Sequence, residues 1–238
     1  GQNEIDFRYS DALTAADNLV NFRAAVRNIA ARNGLYATFL PKPLPNQSGS
    51  GLHINLSLYK DGVNLFKTSR GEHSQEAESF MAGILHYISD ITVFLNPLPN
   101  SYRRFGAFEA PKYVTWSHRN RSQLIRIPAS AGEFCRMELR SPDPSCNAHL
   151  AFALLLFAGL EGIQRQMTLP EPQDFDLYNA DPEKLQKIEQ LPKDLGEAIR
   201  KAEQSEFVRR TVPERLLKNY CKEKKMQWER YSQVEDPD

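Results

Sequence analysis

The sequence predicts an α+β fold: a curved, mostly antiparallel sheet with helices on its outer face, followed by a helical C-terminal extension. Three observations lead there. Residues 2–9, 52–58 and 134–140 alternate polar and apolar side chains with the period of two that a half-buried strand requires. Residues 14–34, 75–95 and 147–167 carry apolar residues at helical spacing. Beyond Pro170 the chain turns Lys/Glu-rich and helical, so residues 1–170 read as an α+β core and 171–238 as a helical extension of the same domain. At 238 residues the chain is long enough to bury a core.

Taken in order, Gln2, Glu4, Asp6 and Arg8 fall on one side of the first strand, and Ile5, Phe7 and Tyr9 on the other. The chain therefore opens inside what reads as a strand. Thr14 and Asp17 resemble a capping box; Leu19, Phe22, Val26 and Ile29 then recur on one stripe until Gly34, which predicts an amphipathic helix packed on the sheet. A strand is expected over 36–40, stopped by Pro41, Pro43 and Pro45, with a Ser/Gly-rich loop after it. In 52–58, Leu52, Ile54, Leu56 and Leu58 face one way and His53, Asn55 and Ser57 the other. Phe80, Ile84, Ile88 and Ile91 predict a second helix on the sheet, ended by Asn96-Pro97. Residues 96–131 form a long Pro/Gly/Asn/Arg-rich stretch with short strand candidates at 113–117 and 124–127; loops of that length usually carry function. In 134–140, Arg136, Glu138 and Arg140 oppose Met137 and Leu139. Asn147 can cap the very apolar helix that follows, expected as the buried central one. Helices over 181–190, 195–204 and 214–233 complete the chain.

Composition excludes several classes. Lys+Arg and Asp+Glu are 30 each, so no net field draws nucleic acid or an anionic membrane. The longest apolar stretch, 150–160, is about half of the roughly 20 residues a membrane helix needs. The three cysteines, Cys135, Cys146 and Cys221, show no CxxC pairing and are odd in number, which points to a reducing compartment, the cytoplasm. No Ser-His-Asp or Cys-His arrangement recommends itself, and Ser48-Gly49-Ser50-Gly51 lacks the Gly-Lys-Ser/Thr of a phosphate-binding P-loop.

What remains is convergence. If the three alternating strands share one sheet, its polar face gathers carboxylates, an imidazole and guanidinium groups. Carboxylate and imidazole suit a divalent cation, guanidinium suits phosphate and carboxylate, and the combination suggests a metal-nucleotide site. A sheet with one face in water would show the same alternation in any one strand without function, and that reading stands beside the first. The glycines of 48–51 permit close backbone approach to an anion. Arg103, Arg104, Arg119, Arg121 and Arg126 surround Glu109 in the loop-rich stretch, as anion ligands would, with a solvated surface run as the other reading.

As a set, GQNEIDFRYSDALTAADN, ATFLPKPLPNQSGSGLHINLSL, NPLPNSYRRFGAFEAPKYVTWSHRNRSQLIRIPAS and RMELRSPDPSCNAHLAFALLLFAGLEG, with WERY in the tail, resemble the catalytic domain of bacterial type I glutamine synthetase over nearly the whole chain. The resemblance implies ATP-dependent ligation of ammonium to L-glutamate through γ-glutamyl phosphate, with Mg²⁺ or Mn²⁺, in a homo-oligomer of the double-ring type. It implies Glu4 as a ligand of one metal ion, and His53 and Glu138 as ligands of a second that bridges nucleotide phosphates. Gly49 and Arg140 match positions that hold glutamate. Arg121 and Arg126 match arginines that neutralise the transferred phosphoryl group and ATP, and Asn55, Ser57 and Arg136 fall at nucleotide-contacting positions. Glu109 corresponds to the loop glutamate that closes over the site and helps deprotonate ammonium.

The sequence also departs from the family. Asn55 stands where many members have a second histidine, and Ser48 replaces a usual Asn. The run from Asn100 to Glu109 is one residue short, so Arg103 or Arg104 could take the substrate-arginine position, with Arg104 preferred. Around Tyr178 the sequence DLYN is similar to the region of the family's adenylylated tyrosine. Family members carry a β-grasp domain and further metal-binding glutamates before the GQxE segment. The expectation is a C-terminal piece of a larger enzyme, with weak or no metal binding and no synthetase activity alone. A relative joining glutamate to a larger amine, or an inactive oligomerisation or binding module, are the other readings.

Overall fold

The computed structural model describes residues 1–67, 73–130 and 132–234. In chain order its elements begin with α1 (Ala12–Arg32), β1 (Ile54–Leu56), β2 (Tyr59–Lys60), β3 (Val63–Asn64) and α2 (Gln75–Leu95). A 3-10 helix, Pro99–Arg104, precedes β4 (Trp116–His118), β5 (Ile125–Ile127) and β6 (Met137–Leu139). Then come α3 (Ala148–Gln164), α4 (Pro182–Leu185), α5 (Leu195–Gln204), α6 (Glu206–Thr211) and α7 (Glu214–Ser232).

The core is built on the crossing of α2 and α3. Ser74 caps α2, its Oγ accepting from Ala77 N at 3.1 Å, and Glu76 and Glu78 place negative charge at the positive end of the helix dipole. Asn147 caps α3 as expected, accepting from Leu150 N at 3.1 Å. Where the helices cross there is no room for side chains: a Cβ on Gly83 would stand 2.2 Å from Ala158 O, and one on Gly162 2.1 Å from Ser79 O. Phe80, Ile84, Ile88 and Ile91 are wholly buried, as their stripe required. At its far end, Asn96 Nδ2 donates to Ser141 O at 2.8 Å and to Asp143 Oδ2 at 3.0 Å, tying α2 to the loop after β6.

Beside these helices lies a four-stranded sheet in the order β1-β6-β5-β4. The β1/β6 and β5/β6 pairs are antiparallel and β4/β5 is parallel. Ile54, Ile125, Met137 and Leu139 are buried and belong to the same apolar cluster as α2. The chain is thus α+β, with a small open sheet, and the C-terminal helices join its core: Leu195, Ala198, Ile199 and Ala202 of α5 are buried in that cluster. Among the described residues no helix is long and apolar enough to cross a membrane.

Several local expectations are corrected. Residues 1–11 form no strand and lie exposed, because alternation sets faces but a strand also needs a neighbour for its ladder. Residues 36–40 likewise form none. The cap of α1 is Asp11, whose Oδ1 accepts from Thr14 N at 3.0 Å, so Thr14 lies inside the helix. Its buried Ala16 and Leu19 pack on Ala148 of α3, a helix and not the sheet. The helix covered on nearly every side is α2, whereas α3 leaves Phe157 and Leu160 exposed. Only 182–185 of the helix expected over 181–190 is helical. Ala131, at the end of the long loop stretch, is outside the described residues.

Candidate active site

The register places one polar row across the sheet. Asn55 of β1 pairs with Glu138 of β6, Glu138 with Arg126 of β5, and Arg126 with Ser117 of β4. Because side chains alternate, the row shares one face while Ile54, Leu139 and Ile125 are buried on the other.

Glu138 is the hub of this face. Its Oε1 lies 3.4 Å from His53 Nδ1, while Oε2 accepts from Arg126 Nε and, at 3.2 Å, from Arg140 Nη1. Burial pushes its carboxyl pKa up, but Arg126, Arg140 and His53 outweigh that and leave it lowered overall. Burial is also the main reason the His53 pKa is lowered to about 4, with the Arg140 charge adding to it. At neutral pH the imidazole is therefore uncharged, with a lone pair available to a metal.

Arg140 carries this hub outward. Its Nε donates to Arg121 O at 3.1 Å and its Nη2 to Glu109 O at 3.2 Å, so the buried guanidinium fixes two loop backbones. Glu109 and Arg121 also meet through their side chains at 3.5 Å, an exposed pair of small energetic weight. Glu109 sits at φ +64° beside Phe108 at φ +49°, a tight turn of left-handed backbone, and its carboxylate is exposed. Tyr178 Oη donates to Ala110 O at 3.1 Å, and burial raises that phenol pKa to about 12.

The glycine loop packs beside this hub, against Arg104 and His53. A Cβ on Gly49 would stand 2.4 Å from Pro41 O and 3.0 Å from Arg104 Cγ; one on Gly51 would meet Arg104 Nη2 and His53 Nε2, each at 3.0 Å. Glycine is required here by close approach. Arg104 lies against the loop, donating to Ser141 O at 2.7 Å and Arg140 O at 2.8 Å. Burial lowers its pKa to about 10.

The structure therefore gathers His53, Glu138, Arg126 and Arg140 in direct contact, with Arg121, Glu109, Arg104 and Gly49 joined through backbone or packing. Arg136 Nε donates to Asn55 Oδ1 at 2.8 Å at the open edge of the row, and Ser57 lies exposed just past β1. Glu4 is exposed in the irregular N-terminal segment, which is held to the glycine loop by Gln2 Nε2 donating to Gly49 O at 2.8 Å. Among the described residues no three His, Cys, Asp or Glu side chains assemble as a metal cage. Lys42, Phe108 and Ser117 also line or brace this region. The sequence reading passed over them; Lys42 lies in a Pro-Lys-Pro run that signalled only a turn.

Comparison with known proteins gives this geometry a family. Residues 1–237 match the model described as glutamine synthetase, catalytic domain. The chain belongs to that family. It is 45% identical over 241 residues to the glutamine synthetase of Methanosarcina mazei, covering 99% of this chain and 54% of the relative. It is 43% identical over 236 residues to that of Thermus thermophilus, covering 97% and 53%. Among solved structures, a GmaS/ADP complex superimposes with a TM-score of 0.86 at 34% identity, covering 97% of this chain and 54% of that one. The chain thus spans about half the length of the curated glutamine synthetases it matches.

Proposed function

We propose that this chain is the nucleotide- and glutamate-binding part of an ATP-dependent glutamate–ammonia ligase, which makes glutamine, ADP and phosphate through γ-glutamyl phosphate. The supporting observation is the division of the Glu138 carboxylate: one oxygen is held by two guanidinium groups and the other turns toward a neutral imidazole.

That donor set fits a hard divalent cation, Mg²⁺ or Mn²⁺, which typically takes one or two protein carboxylates and completes its shell with phosphate oxygens and water. His53 and Glu138 would hold it, with Glu4 a ligand of a second ion. Bound there, the ion would withdraw charge from phosphate oxygens. The remaining chemistry belongs to side chains. Glutamate's γ-carboxylate is a poor electrophile until phosphorylated. Arg126 and Arg121 disperse negative charge while the phosphoryl group moves. Gly49, Arg104 and Arg140 frame glutamate, while Asn55, Ser57 and Arg136 lie along the nucleotide edge. Glu109, on its loop, takes the proton from ammonium so that ammonia can attack the acyl phosphate, and closure of that loop limits hydrolysis.

Two candidate ligands in contact are too few to hold both metal ions, so the chain alone is expected to bind metal weakly and not to turn over. The test is phosphate release. The full-length protein, given ATP, Mg²⁺ and glutamate, should release phosphate on addition of ammonium and less with a panel of larger amines. Larger amines outperforming ammonium would replace this reading with a γ-glutamyl-amine ligase, and no amine-dependent release would remove ligase activity altogether.

A further inference from the structure

Lys42 is buried, 8% exposed, although nothing in the reaction above uses it. Its backbone is clamped by Asn100 of the 3-10 helix, whose Oδ1 accepts from Lys42 N at 2.7 Å and whose Nδ2 donates to Lys42 O at 3.0 Å. Next to it, Pro41 O accepts from Ser50 N at 2.8 Å, so this backbone moves with the glycine loop. The Lys42 ammonium donates to Gln47 O, on the approach to Gly49, and stands 4.2 Å from the ring centroid of Phe108, the residue before Glu109. Phe108 is 53% exposed, so the cation covers one side of a ring that otherwise meets water.

Resting on the ligase reading, we propose that Lys42 is a positioning residue that couples the two halves of the site: its ammonium, seated on Phe108, holds the loop carrying Glu109 in register with the glycine loop that receives glutamate. A buried ammonium is costly unless something replaces its water, and here a carbonyl of one loop and a ring of the other do so together. Neither replacement is complete without the other, which makes the two loops a single unit. Among the described residues the loop's own closure is short-range, Gly106 N to Ala110 O and Ala110 N to Ala107 O, each 3.0 Å, and its outward ties run to Arg140, to Tyr178 and, through the Glu109 side chain, to Arg121. Loss of the ring should therefore loosen the Glu109 end and leave the glycine loop in place.

Phe108→Leu and Phe108→Tyr separate this role from simple loop support, because leucine removes the π face and tyrosine keeps it. In the full-length protein without substrates, amide exchange at Gly106 and Ala110 should quicken about twofold to fivefold in Phe108→Leu, in line with one cation–π contact on a half-exposed ring, and stay unchanged in Phe108→Tyr. Lys42→Met should do the same, and the double variant should be no faster than Lys42→Met alone. In turnover, Phe108→Leu should raise KM for ammonium by a similar factor while KM for glutamate holds. Unchanged exchange in Phe108→Leu, or additive effects in the double variant, overturns the coupling whatever the enzyme's activity. Changed exchange in a protein that lacks ammonium-dependent turnover sinks the ligase reading and keeps the clasp.

Discussion

His53 Nδ1 stands 3.4 Å from Glu138 Oε1 on a face where every other close partner of that carboxylate is a guanidinium. The imidazole, only partly buried, is held toward its neutral form by desolvation of that part and by the positive charge of Arg140, while the carboxyl is kept ionised by Arg126 and Arg140 despite its burial. An uncharged nitrogen beside a charged oxygen is a donor pair that a divalent cation can accept.

The lowered His53 pKa has a consequence for stability. Between the ordinary value of 6.5 and about 4, the unfolded chain binds a proton at this position and the folded one does not. Stability from this group is fully present above the upper value and falls as pH drops through the window. Urea midpoints of the wild-type protein should decline on acidification through that range more steeply than those of His53→Asn. Parallel profiles would refute the assignment.

Removing Glu138 tests the other half of the pair. Arg140 is 3% exposed on its side chain and Arg126 20%, so Glu138→Ala leaves at least one buried guanidinium without its counter-charge. A loss of about 3–5 kcal/mol is expected, the usual cost of breaking a buried pair from one side. Glu138→Gln, which keeps an acceptor oxygen, should cost less. Equal and small losses in urea unfolding would show the carboxylate to be solvated.

The polar row was legible because the alternation read over 52–58 and 134–140 survives folding where it matters, in the short strands Ile54–Leu56 and Met137–Leu139; Phe134 lies in a 3-10 helix instead. The same pattern in 2–9 misled, since periodicity tells which side a residue faces and not whether a neighbouring strand exists. Asp61-Gly62, at φ +52° and +78°, joins β2 to β3 and is the Asp-Gly hairpin signal, present in the sequence and passed over. Hydrophobicity marked α3 as the central helix, yet which side of an apolar helix is covered depends on partners distant in sequence, and α2 gained them. Lys42 on Phe108 is a contact across 66 positions between two loops without periodicity, so no local pattern encodes it.

Gly162→Ala sets two effects against each other. Alanine favours a helix over glycine by about 1 kcal/mol through backbone entropy. Its Cβ, however, would stand 2.1 Å from Ser79 O and 2.8 Å from the Gly83 backbone, and neither neighbour is a flexible side-chain end. Overpacking of this kind costs about 1–3 kcal/mol or more, so the net change should be destabilising. A raised thermal midpoint would mean the helices separate without penalty.

Gly49→Ala probes the proposed glutamate-binding role of the glycine loop in the full-length protein. The added methyl would lie 2.4 Å from Pro41 O, forcing the loop backbone off its present path. KM for glutamate should rise about tenfold, the equivalent of roughly 1.4 kcal/mol, with KM for ATP little changed. Equal effects on both substrates would place Gly49 outside the glutamate subsite.

Thiol chemistry reports on the core independently of any ligand. Cys146 and Cys221 are 1% and 2% exposed, and burial raises their pKa values to about 12 and about 11. Cys135 is half-buried beside β6. Since the thiolate is the reactive form, an aromatic disulfide reagent at neutral pH should modify Cys135 first, and the other two only as fast as the helices around them open. Denaturant should then speed Cys146 and Cys221 far more than Cys135. Simultaneous modification of all the thiols in native buffer would mean that α7 and the start of α3 are not held in the common core.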